Sequence, residues 1–539
     1  MKKTLLFLTC VFAFSLLQAQ WVNDPINNTK LVTLSSGIIP NIQLCTNEAT
    51  GDTYVMAYGS NQINLQRINV NGVPQWGEQG IYIECQEPKQ IHGTGITTTI
   101  DDAVVIAYTD GSNKCYAMKF DKDGNALWGE QGSHFFGCLD DSVSLMDIQI
   151  QSDSFGGIWI MAQDFDNIYL LYSNPYGTPN PAITISNSDC KCQNGQLILG
   201  PSGVAYVTYE RIVGDANEVE KEIWVEGYVI DGETASLPVK LMNVKLINRY
   251  LNHNAISDGM GGGYAFISCP DTIGNNTFVF HFDANGCSTI SEPYGIPVHT
   301  SDMYVSYDAA RATIDPVTHD IIIVCKLEKS LESKAGLFLN RITTTGEVIW
   351  DDGIYIYDGY ELISQKTIDI YPDGSGFMVS IDCHPNNDTQ ITIDACGFDM
   401  DGNQTWHTLM NSVVDDKRIS QNTTGFHNGQ NIIAWTNKSD GNIYGQNIDM
   451  NGIMGPIASV NENGSTMSAE IFQNGTSLII SAETLSQVEI ISMTGQSIKT
   501  VETNGNTAEI NVSGFTPGLY IVRMNDANGN ILVKKAVIR

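Results

Sequence analysis

Basic residues are scarce in this chain. Across 539 residues, 28 lysines and arginines stand against 60 aspartates and glutamates, a net charge of −32, and such a surface repels phosphate backbones and anionic lipid heads alike. Nucleic acid and peripheral membrane partners are excluded on that ground. Charge is sparse overall, at 16% of residues against 42% apolar, so the acids decorate the loops of a globular chain rather than a disordered tail. After the first twenty residues no segment approaches the ~20 apolar residues that a spanning helix requires. No 3.6-residue apolar period is sustained, so helices are expected to be few.

Catalytic motifs are missing too. The nine histidines are scattered, none belongs to a His-Glu-x-x-His pattern, and no serine sits in a Gly-x-Ser-x-Gly elbow. No catalytic residue, metal or cofactor is therefore assigned. Eight arginines are too few for a convergent carboxylate-binding cluster, and Arg67 and Arg341 occupy equivalent places in a repeat, which reads as architecture.

What is present begins with Met1-Lys2-Lys3, an apolar run from Leu5 to Leu17, and Gln18-Ala19-Gln20. That three-part form is a secretory leader, expected to span 1–19 with cleavage after Ala19. Removing Cys10 with it leaves eleven of the twelve cysteines, so at least one is unpaired. Cys115 with Cys138, Cys269 with Cys287, and Cys383 with Cys396 have spacings that suit disulfides between neighbouring strands, although connectivity does not follow from sequence. Cys190-Lys191-Cys192 suggests a redox or metal motif, but no second ligand pair accompanies it, and a plain strand or loop is the expected reading.

Residues 20–465 are filled by a repeat. A strand-like run ends in an Asx or polar turn closed by glycine, and a second run follows that often starts at tryptophan: Arg67 to Gly72 with Trp76, Lys119 to Gly124 with Trp128, Arg341 to Gly346 with Trp350, and Phe398 to Gly402 with Trp406. Weaker copies end at Gly177, Gly232, Gly286 and Gly452, and the eight glycines are spaced by 50 to 60 residues. An Asp or Asn two residues before an Asn or Asp and then Gly suits a tight hairpin, the glycine supplying positive φ. Asp121-Lys122-Asp123-Gly124-Asn125 and Asp399-Met400-Asp401-Gly402-Asn403 resemble fragments of calcium loops, but the same turn elsewhere carries asparagines and lacks the distal acid, which favours the hairpin. Before each hairpin lies a run apolar at nearly every position, such as Ala103 to Tyr108 or Ile321 to Val324, which must be covered on both faces. A more polar run precedes that. Four strands per ~54 residues, each sheet covered by its neighbours, describe an all-β β-propeller, here expected to have eight blades, with seven as the alternative.

From about Ser468 the period breaks and shorter strands run to the end. Val488-Glu489-Ile490-Ile491-Ser492-Met493-Thr494-Gly495-Gln496, then Gly514-Phe515-Thr516-Pro517-Gly518-Leu519-Tyr520, and the ending Lys534-Lys535-Ala536-Val537-Ile538-Arg539 carry a resemblance. The segment 468–539 resembles the C-terminal sorting domain of proteins exported by the type IX secretion system of Bacteroidetes. The resemblance implies a small Ig-like β-sandwich recognised by the secretion translocon through residues such as Gly495, Pro517, Gly518, Tyr520, Lys534 and Lys535. It also implies removal of the tail on export and a cargo that is released or held at the outer-membrane surface. One departure is clear: the family's Pro-Asn-Pro turn is replaced by Phe472-Gln473-Asn474-Gly475.

The tail says where the cargo goes, and fold alone does not say what it does. Propeller ligands usually enter at one mouth of the central channel, where the polar inner-strand candidates are Asp147, His253, Tyr307, Asp308 and Asp369. Each also has a plainer role as a satisfied hydrogen-bonding residue. The expected function is an exported cell-surface or secreted module that binds a protein or glycan without catalysis; a glycan-cleaving enzyme and a structural part of a surface or motility apparatus are the alternatives.

Overall fold

A computed structural model describes residues 21–34, 40–59, 61–84, 91–110, 114–129, 133–135, 143–187, 189–200, 203–214, 219–246, 252–271, 274–290, 295–299, 310–329, 334–351, 353–360, 362–384, 392–412, 421–437, 439–456, 469–492, 497–515, 518–525 and 531–538. No helix occurs among them. The chain falls into two compact units, Met1–Ile457 and Ala458–Arg539.

The described residues of the first unit form eight four-stranded antiparallel sheets. Seven run in chain order, over 41–84, 93–135, 147–185, 191–246, 252–297, 311–360 and 362–411, numbered here sheets 1 to 7. Sheet 8 takes three strands from 421–449 and its fourth from the other end of the unit, because Thr29–Val32 pairs with Ile443–Asp449. The first strand of each sheet packs on the first strand of the next, and that of sheet 8 packs on that of sheet 1. This cyclic packing is the arrangement of a propeller.

Cores lie between sheets rather than within them. In sheet 2 the strand Ala103–Thr109 turns Val104 and Ile106 toward Tyr54 and Met56 of sheet 1, while Val105 and Ala107 meet Ile148 and Ile150 of sheet 3. The period-two alternation of a strand thus serves two cores at once, which is why such strands are apolar at every position. The closing core joins Trp21, Leu31 and Val32 to Val55 and Ala57 of sheet 1 and Ile432 and Ala434 of sheet 8.

The repeating turn also fastens sheet to sheet. In sheet 2, Asp121 Oδ1 accepts the amides of Asp123 and Asn125 at 2.9 and 2.8 Å, and Asp399, Asp449 and Asp283 repeat the pattern. These carboxylates are engaged by backbone N–H groups, as a hairpin turn requires. The turn's second carbonyl then accepts a side chain from the sheet before it. Trp76 Nε1 donates to Lys122 O at 3.1 Å, Trp128 to Pro175 O at 3.1 Å, and Trp406 to Met450 O at 2.8 Å. Where tryptophan is absent, Asn180 serves Ile230 O, Tyr206 serves Ala284 O and Thr289 serves Thr344 O. Trp21 does the same for Val70 O, carrying the series across the closure. Gly72 sits at φ +82°, and a Cβ there would lie 2.8 Å from the Trp21 ring, so glycine is demanded by backbone and packing together.

The second unit is one five-stranded sheet of Ala469–Asn474, Ser477–Ser492, Ser497–Asn511, Gly518–Asn525 and Ile531–Ile538. Its core gathers Leu478, Ile480, Val488, Ile490, Val522 and Met524.

Candidate functional site

Three of the five inner-strand candidates lie within the described residues, and each is tied to neighbouring strands. His253, on the first strand of sheet 5, is buried. Its Nδ1 lies 3.1 Å from Asn194 O on sheet 4 and its Nε2 lies 3.0 Å from Thr208 Oγ1. Burial pushes its pKa down to about 4, opposed by the bond to Asn194. The ring is therefore neutral at physiological pH, its Nδ1–H donating to Asn194 and its Nε2 accepting the Thr208 hydroxyl. Asn194 stands at φ +53° in a bulge of the inner strand and sends its Nδ2 to Glu210 Oε1 at 2.9 Å. Glu210 in turn pairs with buried Lys221 at 2.9 Å.

Asp369, half-buried at the end of the first strand of sheet 7, accepts Thr423 Oγ1 at 3.1 Å and Asn431 Nδ2 at 3.0 Å, both on Oδ2. Burial raises its carboxyl to about 6 despite those bonds. Its partners flank a bulge of sheet 8 containing Gly425 at φ +73°. Asp147 accepts Gln163 Nε2 at 3.2 Å, Gln163 in turn accepts Gly195 N at 3.0 Å, and burial raises the Asp147 carboxyl as well. Around them Gln43, Gln149 and Gln151 donate to backbone carbonyls of the next sheet. Tyr307 and Asp308 lie outside the described residues.

One constellation looks like a nucleophile relay. His281 Nε2 lies 3.0 Å from Asp258 Oδ2, and its Nδ1 lies 2.6 Å from the hydroxyl of exposed Thr289. Burial works against ionised Asp258, but the bonds from His281 and from the Met260 and Gly262 amides hold its carboxyl below the usual range. The same place in other sheets decides its meaning. Arg67 pairs with Asp52, Lys119 with Asp101, Tyr172 with Asp153, and Arg341 with Asp315 and Asp320. In each, a donor near the end of the third strand clasps a carboxylate of the turn between the first two. The histidine is that clasp in sheet 5.

The densest chemistry among the described residues was not singled out from sequence. Ala205–Gly214 and Val219–Tyr228 of sheet 4 have ten residues each, against seven and six for their counterparts in sheet 2. At this extended end the Arg211 guanidinium lies 3.8 Å over the Trp224 ring, and its Nη2 donates to Tyr209 O–H at 2.8 Å. Glu226 accepts the hydroxyls of both Tyr209 and Tyr228. Cys192 stands opposite Arg211 in the ladder. The available signal was Tyr209-Glu210-Arg211, a polar break in an otherwise apolar strand.

The cysteine pairings need correction. Cys115 and Cys287 carry free thiols. Register explains why spacing misled: Cys383 faces Thr392 while Cys396 faces Val379, four ladder positions away. That is about 13 Å, against the ~5.5 Å of a disulfide. Cys269 faces Asn276, whereas Cys287 sits opposite Asp283 at the far end of the hairpin. Cys138, the partner expected for Cys115, lies outside the described residues.

In the second unit, buried Tyr520 pairs in register with Ser492 and Ala536, and its ring lies 5.6 Å from that of Phe515. Gly518 opens the strand that faces the last one, where Lys534 opposes Val522 and Lys535 opposes Ile521. Gly495 and Pro517 lie outside the described residues. Residues 473–539 match the secretion system C-terminal sorting domain family. The sorting tail implies handling by the type IX secretion system and a secreted or cell-surface protein. No helix among the described residues is long and apolar enough to cross a membrane.

No curated protein matches the chain. Among solved structures, the Dos1 propeller is similar at 12% identity and TM-score 0.39, over 70% of this chain and 80% of that one. Prolyl oligopeptidase B from Galerina marginata is similar at 12% identity and TM-score 0.41, over 74% of this chain; the match spans 55% of that enzyme. An α-L-arabinofuranosidase from Fusarium graminearum is similar at 9% identity and TM-score 0.34, over 57% of this chain and 93% of that one.

Proposed function

We propose that the chain is an eight-bladed propeller, carried out by type IX secretion, that binds a protein or glycan at the cell surface without catalysis. The single observation that carries this reading is the way the inner-strand polar residues are occupied. Asp147, His253 and Asp369 tie adjacent strands together, which builds a rigid ring and leaves recognition to its rims. Eight sheets closed by Thr29–Val32 support eight blades rather than seven. The proposed division is a leader over 1–19, the propeller over 20–465 and an Ig-like sorting domain over 468–539. For the last, Ser477–Ser492 supports a sandwich: its first half pairs with Ala469–Asn474 and its second with Gly518–Asn525, as a strand crossing between two sheets does.

The proposed contact surface is the extended end of sheet 4, where Arg211 stacked on Trp224 presents a planar cation and a flat ring, groups suited to carboxylates and sugar faces. The test is an array of glycans and cell-surface proteins probed with the exported chain. Saturable binding that weakens in Trp224→Ala is the expected result. Turnover of a polysaccharide panel, with no retention on the array, would overturn the proposal.

A further inference from the structure

We propose that the turns of sheets 2, 3 and 4 form a docking strip for another protein, one that presents apolar side chains flanked by lysine or arginine. In each antiparallel sheet the inner turn, between the first and second strands, and the outer turn, between the third and fourth, lie at the same end. Ile100 and Phe155 stand at the inner turns of sheets 2 and 3, 69% and 64% exposed, and Tyr176 on the outer turn of sheet 3 is 85% exposed. Each inner tip leans over the glycine of the next sheet's inner turn. A Cβ on Gly156 would lie 3.3 Å from Ile100 and 3.6 Å from Pro175, and one on Gly203 would lie 3.4 Å from the Phe155 ring and 4.0 Å from Ile230. Apolar surface therefore runs on from Ile100 through Phe155 to Ile230. Beside Phe155 it opens into a cleft of about 360 Å³ lined by Gly203, Val229, Ile230 and Asp231.

The turn itself does not demand these residues. Sheet 1 fills the same place with Glu48-Ala49-Thr50, sheet 7 with Asp373-Gly374-Ser375 and sheet 8 with Asn428-Gly429. Met260 and Val317 repeat the apolar tip in sheets 5 and 6, so such tips keep to one arc of the ring. A contiguous apolar strip left in water marks an interaction site. Charge selects its occupant. Asp102 and Asp123 border the strip at sheet 2 and Asp231 and Glu233 at sheet 4, against Lys122 as the one exposed cation among the described residues of these turns. A second copy of this chain, at a net charge of −32, would bring acids to acids. A partner with basic side chains beside its apolar ones meets both features, its anchors filling the cleft while its cations answer the acidic border. The strip is separate from the extended end of sheet 4. Ala205, just after Gly203, pairs with Tyr228, whereas Arg211 pairs with Glu222 six ladder positions along, about 20 Å away.

The full chain is titrated at about 0.15 M salt, where exposed charges are screened beyond about 8 Å, into a fluorescent peptide that alternates lysine with leucine. Fluorescence anisotropy is expected to show saturable binding that weakens about tenfold in Phe155→Ser and in Ile100→Ser. A peptide alternating lysine with serine should bind about tenfold more weakly as well, and Trp224→Ala should keep the wild-type affinity. Both serine substitutions lie at exposed turn tips, and unchanged melting temperatures show that the fold is kept. Wild-type affinity in both serine variants, equal binding of the lysine-serine peptide, or tighter binding of a glutamate-leucine peptide would each overturn the proposal. So would self-association of the chain, read by sedimentation velocity, that Phe155→Ser abolishes. The readout depends on Phe155 and not on Trp224, so failure here is distinguishable from failure of the contact surface proposed at the extended end.

Discussion

Acidifying the protein from about pH 7.5 to about pH 5 is expected to remove about 2 kcal/mol of stability through His253 alone. Both its ring nitrogens are committed, to Asn194 O and Thr208 Oγ1, and burial lowers its pKa from 6.5 to about 4. The folded pKa lies below the unfolded one, so between them the unfolded chain takes up a proton that the folded chain refuses. The neutral ring's contribution is complete above about pH 6.5 and is lost as pH falls, reaching about 3 kcal/mol below pH 4. Replacing the residue by glutamine keeps a donor and an acceptor and removes the titration. Urea unfolding followed by tryptophan fluorescence on the wild-type chain and His253→Gln at both pH values reads the difference. The wild type should lose about 2 kcal/mol more than the variant, or roughly 2 °C in melting temperature for a unit of this size. Equal losses in the two proteins would refute the reasoning.

Asp369 has the opposite sign, since its folded pKa of about 6 lies above the ordinary 3.8: its contribution is present in acid and lost as pH rises through 6. Asp369→Asn should therefore stabilise the protein at about pH 8 by about 1 kcal/mol, partial exposure discounting the full shift, and do little near pH 4; melting curves at the two pH values check this. Gly72→Ala and Gly429→Ala share nearly the same φ, +82° and +77°, but only the first directs a Cβ into a ring, that of Trp21. Both should pay about 1 kcal/mol for left-handed backbone and Gly72→Ala about 1–3 more, a gap that urea midpoints resolve. Trp406→Phe leaves Met450 O without its indole donor and should cost about 1–2 kcal/mol by the same assay. A chain lacking 473–539 should be retained in cells while the full chain appears outside, as immunoblots of fractions would show.

The repeat was legible because its parts are local. An Asx acceptor, a glycine at positive φ and an apolar strand are set by a few neighbouring residues, so the period and the hairpin at Asp121–Asn125 could be read directly. The sorting tail was legible for a similar reason, its motifs lying in order over 67 matched residues. Inner-strand polarity was legible as well, but its purpose was not, because Asp369 finds Asn431 and His253 finds Asn194 only when different sheets meet. The Arg211–Trp224 stack escaped notice since its two members sit on adjacent strands whose register no single segment displays.

By itself the sequence determined the hairpin period, the two-faced second strands, the arginine and tryptophan positions that recur, and the address at the C-terminus. Tertiary structure alone decided that Trp21 and Thr29–Val32 complete sheet 8, that His281 is a clasp equivalent to Arg67 and Arg341, and that the ladder register sets Cys269 apart from Cys287 and Cys383 apart from Cys396. The physical reason is one of range. Turn geometry and strand alternation act over two to five residues, whereas clasps, staples and closure join groups that are made neighbours only by the cyclic packing of sheet on sheet.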